Sequence, residues 1–183
     1  MGAAHPRKSN NTYLLYGTGC NGVLVEPNPM YADLLRKERP RDVTVQAGIG
    51  VSETAEADYY EIKGNPLLNT FSPDQVKELQ KEKGPDIVER VVKMPLLNIN
   101  KVIEQNLGKA PDLLSTDVEG LDYAILKTLD LSRYRPAVII AEDVAFRPNG
   151  EMTPIAKYFA EQGYIPRGGS MVNAVYVDAK RIG

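Results

Sequence analysis

At 183 residues, 43% of them hydrophobic, the chain has enough apolar side chains for one core and is short for two. Its 22 basic and 24 acidic side chains leave a net charge of −2, which excludes a global field drawing it to nucleic acid or an anionic membrane. One cysteine, Cys20, forms no intramolecular disulfide, and no run approaches the roughly 20 apolar residues of a membrane span.

A single domain over residues 1–183 in a reducing, cytoplasmic setting is the expectation, with no nucleic-acid and no membrane partner. Short aliphatic or β-branched runs alternate with helical patterns, the mark of βαβ units and a mostly parallel, doubly wound sheet. A short helix is expected from near Ser9, stopped by Gly17-Thr-Gly-Cys-Asn-Gly22. Those glycines match the dinucleotide pattern G-x-G-x-x-G, and a nicotinamide-dependent oxidoreductase is the reading they would support. A phosphate-holding turn follows a strand and opens a helix, however, whereas these glycines precede the strand Val23-Leu-Val-Glu-Pro27.

Asn28 is placed to N-cap a helix beginning at Pro29, with Tyr31, Leu34 and Leu35 on one side and an end near Arg39-Pro40. The basic cluster Arg36 to Arg41 then falls in the last turn, where cations offset the helix dipole. Val43 to Ala47 is the next strand. Segment 50–70 reads as loop-rich and, with 143–153, as a wall of the substrate pocket; Tyr59, Tyr60 and Phe146 are its candidate stacking rings. Ser72-Pro73-Asp74-Gln75 is a capping-box pattern, and Asn98 opens a helix with Ile99, Val102, Ile103 and Leu107 on one face. Leu113 to Asp117 and Ala137 to Glu142 are strands apolar on both faces, hence central. Helices are expected after Gly120 and from Met152 to Gly163, and Asn173 to Asp178 as an edge or antiparallel strand.

Ligands of doubly wound sheets sit outside the carboxyl ends of the strands. Glu26 ends one strand 24 positions after Gly2, close to the separation of ~20 between a glycine turn and a ribose-binding acid. A solvated glutamate or a charge at the next helix start is the competing use. Asp117 and Glu119 end another strand on one face, followed by Gly120, and Asp117 could accept a proton from an alcohol acceptor. A helix cap and a solvated carboxylate are the alternative. A hard cation could bridge Asp117 and Glu142 or Asp143, although the spacing does not demand a metal. His5 is the only histidine, a solvated loop residue by position, and no zinc-type cluster exists.

Gly2-Ala-Ala-His-Pro6, Ser9-Asn-Asn-Thr-Tyr13, Val25-Glu-Pro-Asn-Pro29, Thr70-Phe-Ser72, Ser115-Thr-Asp-Val-Glu-Gly120, Gly163-Tyr164 and Asn173-Ala-Val-Tyr176, taken in order, resemble the FkbM-type methyltransferases over nearly the whole chain. The resemblance implies a Rossmann-like sheet with a C-terminal antiparallel strand, S-adenosylmethionine as cofactor, and O-methylation of a sugar or secondary-metabolite hydroxyl. It implies that Gly2 and Ala3 line the methionine end, Glu26 with Pro27 holds the ribose, Ala47, Gly48 and Ile49 border the adenine, and Asp117 and Glu119 face the reaction centre. Members of this family usually carry a full apolar strand before the glycine, so the first strand is expected to be truncated here. A noncatalytic Rossmann-like domain is the reading that such a truncation would favour.

Overall fold

A computed structural model describes residues 1–51, 56–118, 120–143 and 145–182. Elements in chain order begin with a short helix α1 (Tyr13–Gly17), strand β1 (Val23–Val25), helix α2 (Pro29–Glu38) and strands β2 (Val43–Val45) and β3 (Gly48–Ile49). Next come β4 (Glu56–Ile62), α3 (Pro73–Lys83), β5 (Val88–Leu97), α4 (Ile99–Asn106), β6 (Leu113–Thr116) and α5 (Asp122–Leu126). The chain ends with β7 (Val138–Glu142), α6 (Pro154–Glu161), β8 (Tyr164–Gly169) and β9 (Asn173–Asp178).

The starts of α2, α3, α4 and α6 follow side chains that serve orphan amides. Asn28 Oδ1 accepts from Met30 N at 2.9 Å, Asn98 Oδ1 from Asn100 N at 2.9 Å, and Ser72 Oγ from Gln75 N at 3.3 Å. The reciprocal half of the capping box is rerouted: Thr70 Oγ1 accepts from Ser72 N and donates to Gln75 Oε1. Thr153 caps α6 through Ala156 N at 3.2 Å, a start that the apolar spacing alone places slightly early.

β1 pairs with β2 in parallel, β6 with β7 in parallel, and β9 lies antiparallel between β7 and β8. β9 is therefore antiparallel but interior, and β8, with Pro166 and two glycines, takes the edge. Residues 1–3 join the two parallel pairs. Met1 N donates to Ser115 O at 2.7 Å, Asp117 N to Met1 O at 3.2 Å, and Ala3 N to Val25 O at 3.2 Å. The line across is thus β2, β1, residues 1–3, β6, β7, β9, β8. Ile99, Val102 and Ile103 of α4, Ile125 and Leu126 of α5, and Ile155 and Phe159 of α6 bury against it with Val25, Leu114 and Ile139. Phe159, Tyr164 and Tyr176 stack at centroid distances of 4.9–5.4 Å, filling the corner beneath β8 and β9.

Two expectations give way. Segment 50–70 contains the strand β4, antiparallel to the ten-residue β5, with Asp58 opposite Lys93 and Glu61 opposite Arg90. Charged residues scattered along both strands hide the period-2 signal, and ion pairs of 2.6 Å between those partners replace apolar alternation. The helix expected from Ser9 begins only at Tyr13, because Asn10 Oδ1 accepts from both the Thr12 amide and hydroxyl and holds residues 9–12 in a turn.

Candidate active site

Glu26, following β1, is 5% exposed, and both its oxygens are engaged by backbone: Oε2 accepts from Ala4 N at 2.7 Å and Oε1 from Asn28 N at 2.8 Å. The carboxylate ties the 1–4 segment to the start of α2 and keeps a lone pair on each oxygen for a further donor. Burial raises its pKa above the ordinary carboxylate range, and the two amides and the Met1 ammonium offset part of the rise. Pro27 is half-buried beside it.

Gly2 fits where no other residue can. A Cβ there would lie 1.8 Å from Asp117 O, and φ is +66°, so the absence of a side chain brings the chain against the mouth of β6. Replacing it with alanine is expected to cost about 1–3 kcal/mol by forcing the segment off the sheet. Urea denaturation reads the loss, and hydrogen exchange of the Ala4 amide locates it; an unchanged midpoint would show that residues 1–4 do not lie against β6.

Three carboxylates converge on this point. The Met1 ammonium is attracted by Asp122, Glu26 and Asp117, while its own burial lowers its pKa. Asp117 is half-buried at the end of β6, and burial followed by repulsion from Asp122 raises its pKa. Asp122, the first residue of α5, is 3% exposed; its Oδ2 accepts from Val118 N at 3.2 Å, and Oδ1 is buried with no hydrogen-bond partner among the described residues. Burial raises its pKa as well, partly offset by the nearby Thr116 hydroxyl. Sequence reasoning passed over Asp122; an acid in the first turn of the helix after β6 was the available signal. Glu119, read as a second acid facing the reaction centre, lies outside the described residues.

Ala47, Gly48 and Ile49 are buried, and a Cβ at Gly48 would stand 2.5 Å from the Phe71 ring and 2.7 Å from Leu96. Tyr59 packs on Phe71 at 4.8 Å, and burial raises the pKa of both Tyr59 and Tyr31, with the Glu26 charge adding to the rise. Of the three rings expected to stack on a ligand, Tyr59 is 3% exposed, Tyr60 is half-buried, and Phe146 is 49% exposed.

Asp143, following β7, accepts from Thr153 Oγ1 at 2.7 Å and from the Tyr176 hydroxyl on the same oxygen. It fastens the 143–153 connection. Among the described residues no group of three or more His, Cys, Asp and Glu side chains is disposed to hold a metal. His5 Nδ1 accepts from the Arg7 and Lys8 amides at 3.1 Å, a local turn contact. Gly17 to Gly22 links α1 to β1 and opens no helix. Among the described residues no helix is long and apolar enough to cross a membrane.

No curated protein and no solved structure matches the chain. The Methyltransferase FkbM domain matches residues 1–166, and with an α/β sheet whose strand-end acids gather at one point, the chain belongs to the FkbM methyltransferase family.

Proposed function

We propose that the protein methylates an oxygen of a small or carbohydrate-like acceptor, with S-adenosylmethionine as donor and Asp117 as general base. The observation that carries this reading is the gathering of acids at the carboxyl ends of β1 and β6: Glu26 is buried on the Ala4 and Asn28 amides, Asp117 is half-buried, and the buried Asp122 leaves Oδ1 without a hydrogen-bond partner among the described residues. Acids there suit a cofactor with ammonium and sulfonium charges, and Gly2, packed on Asp117 O, holds residues 1–3 against the mouth of β6. The residues fit the group.

When bound, the cofactor supplies an electrophilic methyl group. Glu26 would hold the ribose hydroxyls with the lone pairs its amide partners leave free, next to Pro27. Gly2 and Ala3 would border the methionine end. Ala47, Gly48 and Ile49 would back the adenine, with Tyr59 and Phe71 as the neighbouring aromatic surface. Asp117 would take the hydroxyl proton as the new carbon–oxygen bond forms, and its raised pKa makes it a stronger base than an exposed carboxylate. Burial raises that pKa most, and repulsion from Asp122 adds to the rise.

Calorimetric titration of S-adenosylmethionine tests the assignment. Glu26→Ala is expected to weaken binding by about 1–3 kcal/mol, the scale of losing a charged hydrogen-bond partner. Equal affinity in the two proteins would remove Glu26 from the site, and binding of NADH in place of S-adenosylmethionine would overturn the methyltransferase cofactor.

A further inference from the structure

β6, β7 and β8 all end at the rim that holds Asp117, since β6 is parallel to β7 and β9 runs antiparallel to both β7 and β8. At that rim Ser170, Met171 and Val172 join β8 to β9. Ser170 N donates to Asn173 O at 2.7 Å, which leaves Met171 and Val172 as the two central residues of a tight turn. Turns of this kind favour Asn, Asp or Gly at those positions, and neither residue here has the positive φ that such types supply.

The frame of the turn holds it instead. Ser170 Oγ accepts from Val172 N at 3.2 Å and from Asn173 N at 3.0 Å, and a Cβ at Gly169 would lie 2.3 Å from Asn173 O. Val172 O accepts from Asp143 N at 3.0 Å, which ties the turn to the connection after β7. The tip is fixed from both sides, with Met171 93% and Val172 59% exposed. Local propensity and hydration both oppose two large apolar side chains held out on a turn, and a ligand that covers them offsets the second cost.

Their distance from the base sets the shape of that ligand. Thr116 stands beside Ala141, and Glu142 beside Asn173, so Asp117 and Asn173 are separated by two strand spacings, about 10 Å. Val172 is the next residue along. Leu121 and Phe146, exposed in the connections after β6 and β7, belong to the same rim. The rim thus carries an acid at one point and apolar side chains about 10 Å away across β7.

We propose that Met171 and Val172 form the rest for an apolar arm of the methyl acceptor, an alcohol whose reacting hydroxyl lies at Asp117 and whose aliphatic or aromatic group extends across β7. The assignment rests on the reading of Asp117 as the base of a methyl transfer. It makes the β8–β9 turn a specificity element, because an alcohol without the arm reaches Asp117 but leaves the turn bare.

The test labels the methionine methyl groups with carbon-13 and follows Met171 by magnetic resonance, with 4-phenyl-1-butanol as the probe that carries an arm and ethanol as the one that does not. 4-Phenyl-1-butanol is expected to shift Met171 at a concentration about tenfold below that which shifts Met30, an exposed methionine on α2, while ethanol shifts neither there. Val172→Thr, which keeps the shape of the side chain and makes it polar, should raise the concentration needed at Met171 by about threefold or more. With S-adenosylmethionine present, S-adenosylhomocysteine should be released at about tenfold less 4-phenyl-1-butanol than ethanol. No release from either alcohol, with the Met171 shift intact, upholds the apolar rest and counts against the proposed reaction alone. Equal responses of Met30 and Met171, an equal response to ethanol, or a Val172→Thr protein that responds like its parent would each overturn the rest. So would a Met171 signal that moves with protein concentration alone, which would assign the turn to a second copy of the chain.

Discussion

Asp117→Asn is expected to lower kcat for methyl transfer by about 10²–10⁴-fold while leaving the affinity for S-adenosylmethionine within a few-fold of the starting protein. The amide keeps the shape and size of the carboxylate at the mouth of β6 but cannot accept a proton from a hydroxyl. The pH profile separates this from a structural effect. Burial and Asp122 raise the Asp117 pKa, so the base form that transfers protons is populated only above that raised value. The rate should climb with pH through it, and the climb should vanish in Asp117→Asn. Asp122→Asn removes the repulsion, lets the Asp117 pKa fall, and should move the same limb to lower pH.

Stability should run the other way from activity. A carboxyl whose folded pKa lies above its unfolded value binds its proton more tightly in the folded protein, so its favourable contribution is full below the unfolded pKa and is lost as pH rises to the folded one. At neutral pH the ionised Asp117 therefore opposes folding, and Asp117→Asn should be no less stable than the parent in urea. A variant that lost both stability and activity would point to Asp117 as a structural group rather than a base.

The parts of the fold set by local chemistry were legible in the sequence. Asn28, Ser72 and Asn98 announce their helices because a short polar side chain before an apolar stripe has few other uses. β1, β6 and β7 announce themselves as apolar runs because both faces are covered, while β2 reads as apolar although Val43 is 49% exposed. β4 and β5 stayed hidden because their stability comes from partners 26–39 residues away in sequence, from Ile62 with Val88 to Glu56 with Pro95. The site divides similarly. Glu26 and Asp117 could be read as acids at strand ends, whereas Asp122 and the packing of Gly2 on Asp117 appear only once residues 1–3 lie between β1 and β6. Arg39 is the clearest case of a residue whose neighbours in sequence mislead. Within the run Arg36 to Arg41 it reads as a cation that offsets the helix dipole and has no assigned partner, and it is 3% exposed and paired with Asp42.

Arg39→Ala is expected to cost about 3–5 kcal/mol of stability, the scale of breaking a buried ion pair by removing one member. The Arg39 and Asp42 side chains are 3% and 2% exposed, and Nε donates to Asp42 Oδ2 at 2.7 Å. The guanidinium also donates to Asn10 Oδ1 at 3.0 Å and Thr12 Oγ1 at 3.1 Å and stands 4.9 Å from the centre of the Tyr16 ring. Asp42 Oδ1 accepts from Gly22 N at 2.7 Å, so one ion pair fastens the 9–12 turn, α1 and the entry to β1 together. Truncating the arginine leaves a carboxylate that is 2% exposed without its counter-charge, which explains why the loss should far exceed that of an exposed pair such as Asp74 with Lys77, whose side chains are 86% and 67% exposed. Urea denaturation measures the difference, and the double replacement Arg39→Met with Asp42→Leu tells why it arises. Removing both charges should recover most of the lost stability, since the penalty is the stranded carboxylate rather than the missing attraction. A double variant as unstable as Arg39→Ala would instead assign the loss to the contacts with Asn10, Thr12 and Tyr16, and so to the 9–12 turn and α1.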